Sequence, residues 1–495
     1  MTRLKTTTLF GVSLTLACLC TPALHAQDVA GAEQLVAAML GETPLIEDAR
    51  WLTDGFGGRP TGSDANLASV DWVVERLREA GVDAWKEAFE MPEFWLERHA
   101  SAKIHGEGIG FMAAAAAMPF SIGTPKEGLT APLVDGGHGT PEDFERLGAG
   151  ARGAFVLIST EQLLDVDGLF QEYADAAAIE PRAFAAGAAG VVYMGSRPNN
   201  LLYRHLAAKG PANEHPLFIM ERDAATRAVR LLEAGKQLQI TVWLNIRDGG
   251  PYESYNVIGE IRGATRPDEI VVIGAHLDSW GLGTGALDNG ANVALVIDIA
   301  RQMKRLGLQP DRTIRFALWN GEEQGIIGSW RYTQQHADEL DNTVMASSYD
   351  LGTGRIMGFF TGGRPEMVAA VDKTLGPVAG LGPFEHVDWP IVGTDNYDFM
   401  MQGVGNLVAN QAASNYGPNY HARSDTFDKV DQHQLKLNAA IAAAVTYGFA
   451  TMDVTWRRQT RDEIQAIIDN TDLGDQMDMF GLVEPWVTAE RGRER

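Results

Sequence analysis

The second half of the chain alternates apolar runs with amphipathic runs from about residue 255 onward. Four apolar runs read as strands, namely EIVVIGAHLDS, RTIRFALWNGEE, TVMASSYDLGTG and NLVANQA. Helical runs such as NVALVIDIARQMKRLGL and GIIGSWRYTQQHADEL separate them. Near-continuous apolar strands between helices indicate a sheet that is covered on both faces. The pattern predicts an α/β fold with a mixed, mostly parallel sheet sandwiched by helices.

Residues that can bind a cation or move a proton follow these predicted strands. In open α/β sheets, ligands bind beyond the carboxyl ends of the strands. One such residue is unremarkable, but a group of them at one sheet edge predicts a site. The candidates are His276, Asp278, Asp288, Glu322, Glu323, Asp350 and His421.

Two pairs within this group have spacings with a chemical meaning. Residues i and i+2 of a strand project to the same side, so Asp278 is expected to orient the imidazole of His276. Glu322 and Glu323 are adjacent after a buried strand, where acids without a cation or proton are costly. One of the two can bind metal while the other remains free as a base.

The remaining donors suit a catalytic metal site. Two imidazoles and three carboxylates without sulfur favour zinc, with cobalt or manganese as further options. Two divalent ions would leave a surplus positive charge that favours a bound hydroxide for hydrolysis. Asp288, on its glycine-rich turn, is the natural bridge between the ions. The five predicted ligands are His276, Asp288, Glu323, Asp350 and His421.

The segments GAHLDSW, GALDNGA, WNGEEQG, SSYDLGTG and YHARSDT resemble the five signature segments of the co-catalytic zinc exopeptidases. That family includes secreted bacterial leucyl aminopeptidases and the plasma glutamate carboxypeptidases, to which the likeness is greatest.

The resemblance implies a role for each matching residue. It implies that His276, Asp288 and Asp350 hold one zinc, and that Asp288, Glu323 and His421 hold the other. Glu322 would be the general base and later the proton donor, with a cis peptide between Asp288 and Asn289. Tyr420 is a candidate oxyanion donor, and Asp395, in GTDNYDF, is a candidate substrate contact.

Five regions are expected along the chain. Residues 1–26 form a signal peptide, 27–127 begin the catalytic domain, and 128–247 form a smaller α/β insert. Residues 248–455 complete the di-zinc domain, and 456–495 form a tail that either docks or is solvated. The insert resembles a protease-associated domain, and its lack of clustered His, Asp and Glu favours a lid or docking role.

The first 26 residues have a basic start, a short apolar run and small residues near Ala26, as secretory signal peptides do. Lipid attachment at Cys18 is an alternative. Both cysteines, Cys18 and Cys20, lie in this segment, so the mature chain would have no disulfide. The formal charge of -24 argues against nucleic acid as a partner. Because of the signal peptide, we expect the protein to be secreted or periplasmic, without a membrane span.

The sequence thus predicts a metallo-exopeptidase that cleaves dipeptides or short peptides with a metal-bridging hydroxide. Whether the amino or the carboxyl end is recognised stays open. The resemblance also suggests a homodimer. Two alternatives are a single-zinc enzyme like glutaminyl cyclase and a noncatalytic, receptor-like binding module, which the number of bound metal ions and the turnover would separate.

Overall fold

The computed structural model describes residues 21–163 and 167–494. The first 20 residues of the expected signal peptide, with Cys18 and Cys20, lie outside this part of the chain. No helix within the described residues is both long enough and apolar enough to cross a membrane.

The strands and helices alternate through most of the chain. The strands are β1 (Asp83–Met91), β2 (Phe94–Gly106), β3 (Ile109–Ala117), β4 (Leu129–Asp135), β5 (Phe155–Ile158), β6 (Gly190–Met194), β7 (Leu217–Met220), β8 (Leu238–Gly249), β9 (Tyr252–Ile261), β10 (Arg266–His276), β11 (Arg312–Trp319), β12 (Thr343–Ser348), β13 (Ile356–Phe360) and β14 (Asn406–Gln411). The helices are α1 (Thr21–Leu40), α2 (Leu45–Arg50), α3 (Asp64–Glu79), α4 (Pro141–Leu147), α5 (Asp167–Ala185), α6 (Arg222–Glu233), α7 (Ala291–Leu306), α8 (Ile327–Gln335), α9 (Pro365–Thr374), α10 (Asn396–Met401), α11 (Tyr416–Asn419), α12 (Gln432–Thr451), α13 (Arg461–Asn470), α14 (Leu473–Met479) and α15 (Val483–Val487).

The central sheet has the strand order β1-β9-β11-β10-β12-β14-β13. Its four middle strands, β11, β10, β12 and β14, are parallel and are the four that the sequence predicted. The outer strands β1, β9 and β13 pair antiparallel, so the sheet is mixed but parallel only at its centre. The outer strands escaped prediction because they are not continuous apolar runs; β1, for example, alternates exposed and buried residues.

The main core lies where helices cover the central sheet. Val271 and Ile273 of β10 and Phe316 of β11 are fully buried in one cluster with Leu295 of α7. Helix α12 adds its alanine-rich middle to the same cluster. Ile270 and Val272 of β10 are buried in a second cluster on the other face of the sheet, and this two-sided burial explains why these strands carry apolar side chains at successive positions. The core fixes the strand ends, and therefore the site, on a rigid layer.

A closed barrel forms the smaller domain, with the strand order β2-β3-β7-β6-β5-β4-β8. Strands β8 and β2 pair antiparallel, with Phe94 opposite Gly249, and this pairing closes the barrel. The barrel therefore begins well before residue 128, where the sequence analysis placed the insert. Most of the run GFMAAAAAMPF is strand β3 of this barrel, with Ala113, Ala115 and Ala117 buried.

The tail is docked on the domain of the central sheet through α13, α14 and α15. Ile464, Met477 and Trp486 are buried in one cluster with Ile326 and Met400. This settles the alternative that the sequence left between a docked and a solvated tail.

Candidate metal centre

The five predicted ligands meet at the carboxyl edge of the central sheet. His276 is the last residue of β10, while Glu323 and Asp350 follow β11 and β12 closely. Asp288 lies in the turn before α7, and His421 follows α11. All five side chains are buried, with no residue more than 7% exposed.

Asp288 turns one carboxylate oxygen toward each histidine. Its Oδ1 lies 3.1 Å from Nε2 of His276, and its Oδ2 lies 3.3 Å from Nε2 of His421. A second carboxylate completes each side: Asp350 Oδ1 is 3.0 Å from His276 Nε2, and Glu323 Oε2 is 2.8 Å from His421 Nε2. The donors thus form two groups that share Asp288.

The other ring nitrogen of each histidine faces a main-chain carbonyl. His276 Nδ1 is 3.0 Å from the carbonyl oxygen of Asp278, and His421 Nδ1 is 2.9 Å from that of Arg204. A carbonyl only accepts, so each Nδ1 carries the proton, and each Nε2 can offer its lone pair to the shared centre. Metal-ligating histidines are oriented in this way.

The electrostatics of the five residues fit a cation. Burial raises the pKa of Glu323 to about 7 and raises that of Asp350 as well. Against the effect of burial, Glu323 and Asp288 raise the pKa of His421 to about 10. Within the described residues, Glu323 Oε1 is buried and has no hydrogen-bond donor. Buried carboxylates are stable when paired or bound to metal, and three of them with two imidazoles suit zinc.

Glu322 lies beside the ligands and lines the same cavity. Burial raises its pKa well above the ordinary range of a carboxyl, and the charge of Asp350 adds to the effect. A carboxyl with a raised pKa can accept and hold a proton near neutral pH.

Asp278 makes a different contact from the one expected. Its carboxylate Oδ1 is 3.7 Å from His276 Nδ1, beyond hydrogen-bond distance, because the Asp278 main-chain carbonyl occupies that nitrogen. The carboxylate instead accepts from Thr61 Oγ1 at 2.7 Å and lies 3.4 Å from the amides of both Glu322 and Glu323. Asp278 therefore orients the histidine through its backbone and the two glutamates through its side chain.

Two residues that sequence reasoning missed hold the Asp288 turn. The Asp425 carboxylate accepts from the amides of Ala286, Leu287 and Asp288 at 3.1, 2.7 and 3.2 Å. The buried guanidinium of Arg59 donates to four main-chain carbonyls, and two of these, Thr284 and Gly285, directly precede the same turn. Asp425 lies in the recognised YHARSDT segment, whereas Arg59 lies in a glycine-rich loop that gave no signal. The peptide between Asp288 and Asn289 is cis, as the resemblance implied.

The barrel supports the His421 loop. The Arg204 amide donates to the His421 carbonyl at 3.2 Å, in return for the bond that its own carbonyl accepts. Arg197, fully buried, pairs with Glu172 at 2.7 Å, and its Nη2 donates to the Tyr420 carbonyl at 3.3 Å. Neither arginine was a sequence candidate, since nothing in the barrel pattern indicated contact with the centre.

A cavity of about 630 Å³ opens onto the centre. Tyr420 lines it, stacks on His421 with ring centroids 3.6 Å apart, and places its hydroxyl 3.1 Å from that of Tyr173. Asp395 is buried at the start of α10 but is not part of the cavity wall. The structure therefore brings Tyr420 to the cavity and leaves Asp395 behind the lining residues.

Comparison with known proteins agrees with this geometry. Residues 256–446 match the model of peptidase family M28. Carboxypeptidase Q from Xenopus laevis is 27% identical over 410 residues, which cover 81% of this chain and 84% of that protein.

Solved structures share the fold. The crystal structure of a peptidase M28 precursor from Shewanella amazonensis aligns with a TM-score of 0.78 and 29% identity, covering 88% of this chain and 100% of that chain. BSAP, a zinc aminopeptidase from Bacillus subtilis, aligns with a TM-score of 0.66 and 20% identity, covering 85% of this chain and 98% of that chain. The chain is thus similar to peptidase family M28 in the segment that carries the five predicted ligands, and it shares the fold of these solved structures.

Proposed function

We propose that this protein is a zinc-dependent exopeptidase that hydrolyses dipeptides or short peptides. The observation that carries the proposal is the shared carboxylate of Asp288, which faces two buried histidine and carboxylate pairs. The family match over this segment supports it, as do the named activities of a carboxypeptidase relative and an aminopeptidase neighbour.

Two zinc ions per chain are part of the proposal. His276, Asp288 and Asp350 would hold one ion, and Asp288, Glu323 and His421 the other. Once bound, the ions would lower the pKa of the attacking water and polarise the peptide carbonyl.

Glu322 acts as the general base and then as the general acid. It takes the proton from the attacking water, holds it, and passes it to the leaving amine. The Asp278 carboxylate keeps the adjacent Glu322 and Glu323 in place through their amides. The Tyr420 hydroxyl, at the cavity wall, donates a hydrogen bond to the oxygen that gains charge.

Three further features complete the proposal. The protein is exported after cleavage near Ala26, it forms a homodimer, and its barrel is a protease-associated domain. The mass of the mature protein tests the cleavage, and light scattering tests the dimer.

The decisive experiment measures metal content and turnover together. The mature protein is expected to bind two zinc ions, to cleave dipeptides, and to lose turnover on chelation and regain it with zinc. Asp288→Ala removes the shared carboxylate and is expected to lose both ions, whereas His276→Ala is expected to lose one. Plasma emission spectrometry gives the stoichiometry.

Other results favour the alternatives. One ion per chain with release of ammonia from an N-terminal glutamine would indicate a cyclase. Binding of peptides by the mature protein without any turnover would indicate a binding module. A dipeptide library with free and blocked termini then identifies the recognised end.

A further inference from the structure

The C-terminal segment, residues 461–494, contributes to the wall of the active-site cavity. Met479, Phe480, Gly481 and Leu482 line the cavity together with the five predicted ligands and Glu322. The barrel supplies other wall residues, among them Phe170 and Tyr173 of α5. Three separate parts of the chain therefore line one cavity.

The C-terminal segment is fixed by buried polar contacts as well as by apolar packing. Arg491 forms a paired contact with Asp398, with Nε to Oδ1 and Nη2 to Oδ2 both at 2.8 Å. Both side chains are almost completely buried, and Arg491 also donates to the carbonyl of Ile326 at 2.8 Å. A buried two-point guanidinium pair fixes orientation as well as position. Closer to Phe480, Met477 and Leu482 are buried in the cluster that contains Ile326 and Met400, and Phe480 packs against it, so the fold sets the position of Phe480.

A row of rings connects this segment to the metal centre. The rings of Phe480 and Tyr173 lie 5.4 Å apart between centroids. The Tyr173 hydroxyl is 3.1 Å from that of Tyr420, which in turn stacks on His421 at 3.6 Å. The segment thus reaches the barrel at the cavity wall through Phe480, the half-buried residue that directly follows α14.

The size of the cavity limits the space for a substrate. The cavity, at about 630 Å³, has the size of a site for a small ligand. We expect a peptide seated with its scissile bond at the centre to have room for a few residues before it meets the part of the wall that Phe480 forms. Ring contacts such as that between Phe480 and Tyr173 keep two aromatic side chains in fixed relative positions.

From these contacts we infer that Phe480, held against Tyr173, is a specificity-determining residue that limits substrate length to about two or three residues. This inference rests on the proposed function, since it concerns the peptide that the same site cleaves. It goes further in assigning the length limit to one side chain of the C-terminal segment.

The test compares a dipeptide with a hexapeptide that has the same residues around the scissile bond. For the wild type, kcat/KM is expected to be higher for the dipeptide by at least about 10-fold. Phe480→Ala opens the wall, so the kcat/KM for the hexapeptide divided by that for the dipeptide is expected to rise by about 10-fold. Phe480→Trp, which adds volume, is expected to lower that ratio. The control is Val487→Ala, which changes a 57% exposed residue of the same segment.

A binding measurement separates this inference from the proposed function. Glu322→Gln keeps both peptides intact, so calorimetry can measure their affinities. When Phe480→Ala is added to this variant, the ratio of the hexapeptide affinity to the dipeptide affinity is expected to rise by the same factor. If the ratio of affinities is unchanged, or if both peptides bind more weakly by the same factor, the inference is wrong. The proposed function still holds in that case as long as the wild type hydrolyses the dipeptide. Absence of both binding and hydrolysis in the zinc-loaded protein overturns both.

Discussion

The edge of the central sheet and the barrel contribute to the same cavity in different ways. The sheet edge supplies all five predicted ligands and Glu322 from strand ends and the loops that follow them. The barrel supplies none of these but holds the His421 loop through Arg204 and Arg197. Reactive side chains are thus concentrated on the rigid layer, whereas the barrel acts on their position and on the shape of the space.

This division has a physical basis. Parallel strands end at one edge, so side chains at those ends converge without further help. A loop such as the one that carries His421 has no such constraint, since it runs beyond the strands. His421 has a φ of 54°, a conformation uncommon outside glycine, and contacts from a second domain help to hold it.

The largest expected effect comes from the sheet edge. Glu322→Gln removes the proton acceptor but keeps the size of the side chain, so kcat is expected to fall by about 10²–10⁴-fold. Both zinc ions should remain, because the five predicted ligands are untouched. Steady-state kinetics and metal analysis on the same samples check this. An active variant with full metal content would contradict the assignment, and Glu47→Gln, at an exposed side chain of α2, is the matched control.

A substitution in the barrel is expected to have a smaller effect, on the affinity for one of the two ions only. Arg197→Met removes the guanidinium that donates to the Tyr420 carbonyl and is expected to weaken zinc on the His421 side by about 10–100-fold. The ion on the His276 side should be retained, which distinguishes a positioning role from general unfolding. Competition with a chelator gives both affinities.

Two further variants complete that test. Arg152→Met changes an exposed arginine of the same domain and should leave both affinities unchanged. Arg197→Met alone leaves the Glu172 carboxylate buried without its partner. The double variant Arg197→Met, Glu172→Gln removes that charge as well. Equal loss of both ions in the double variant would show that the barrel acts on the whole centre rather than on His421.

The smallest expected effect concerns the barrel alone. Burial raises the pKa of Glu180 to about 8, although the Ala208 amide donates to its carboxylate at 2.9 Å. A folded-state pKa above the unfolded value means that stability is full at low pH and is lost as the pH rises from about 4 through 8. Glu180→Gln should therefore stabilise the metal-free protein at pH 8 by about 1–2 kcal/mol and have little effect at pH 4. Thermal unfolding at the two pH values checks this; equal shifts at both would refute it.

Continuous apolar runs and the residues that follow them made the centre of the fold predictable. They indicated β10, β11, β12 and β14, Asp288, and the four residues that meet around it. The outer strands were not predictable in this way, since polar residues on their exposed positions interrupt the apolar runs. Strand β3 was missed because its alanines lack the branched and aromatic side chains that mark strands.

Contacts between distant segments were the other limit. The Asp278 carboxylate was expected at His276, but its bond to Thr61 depends on a loop more than 200 positions away. The role of Arg59 was equally hidden, because its partners are main-chain carbonyls that no residue pattern encodes. Side-chain chemistry could be read from the sequence, whereas hydrogen bonds to the backbone required the fold.

The reciprocal bonds between His421 and Arg204 have a consequence for how this chain can change over generations. Both partners on the barrel side are peptide atoms, which every amino acid except proline provides. Replacement of the residue at position 204 would leave that support in place as long as the backbone path is kept. The support from position 204 can accordingly outlast changes of side chain during evolution, whereas the support from position 197 depends on the guanidinium.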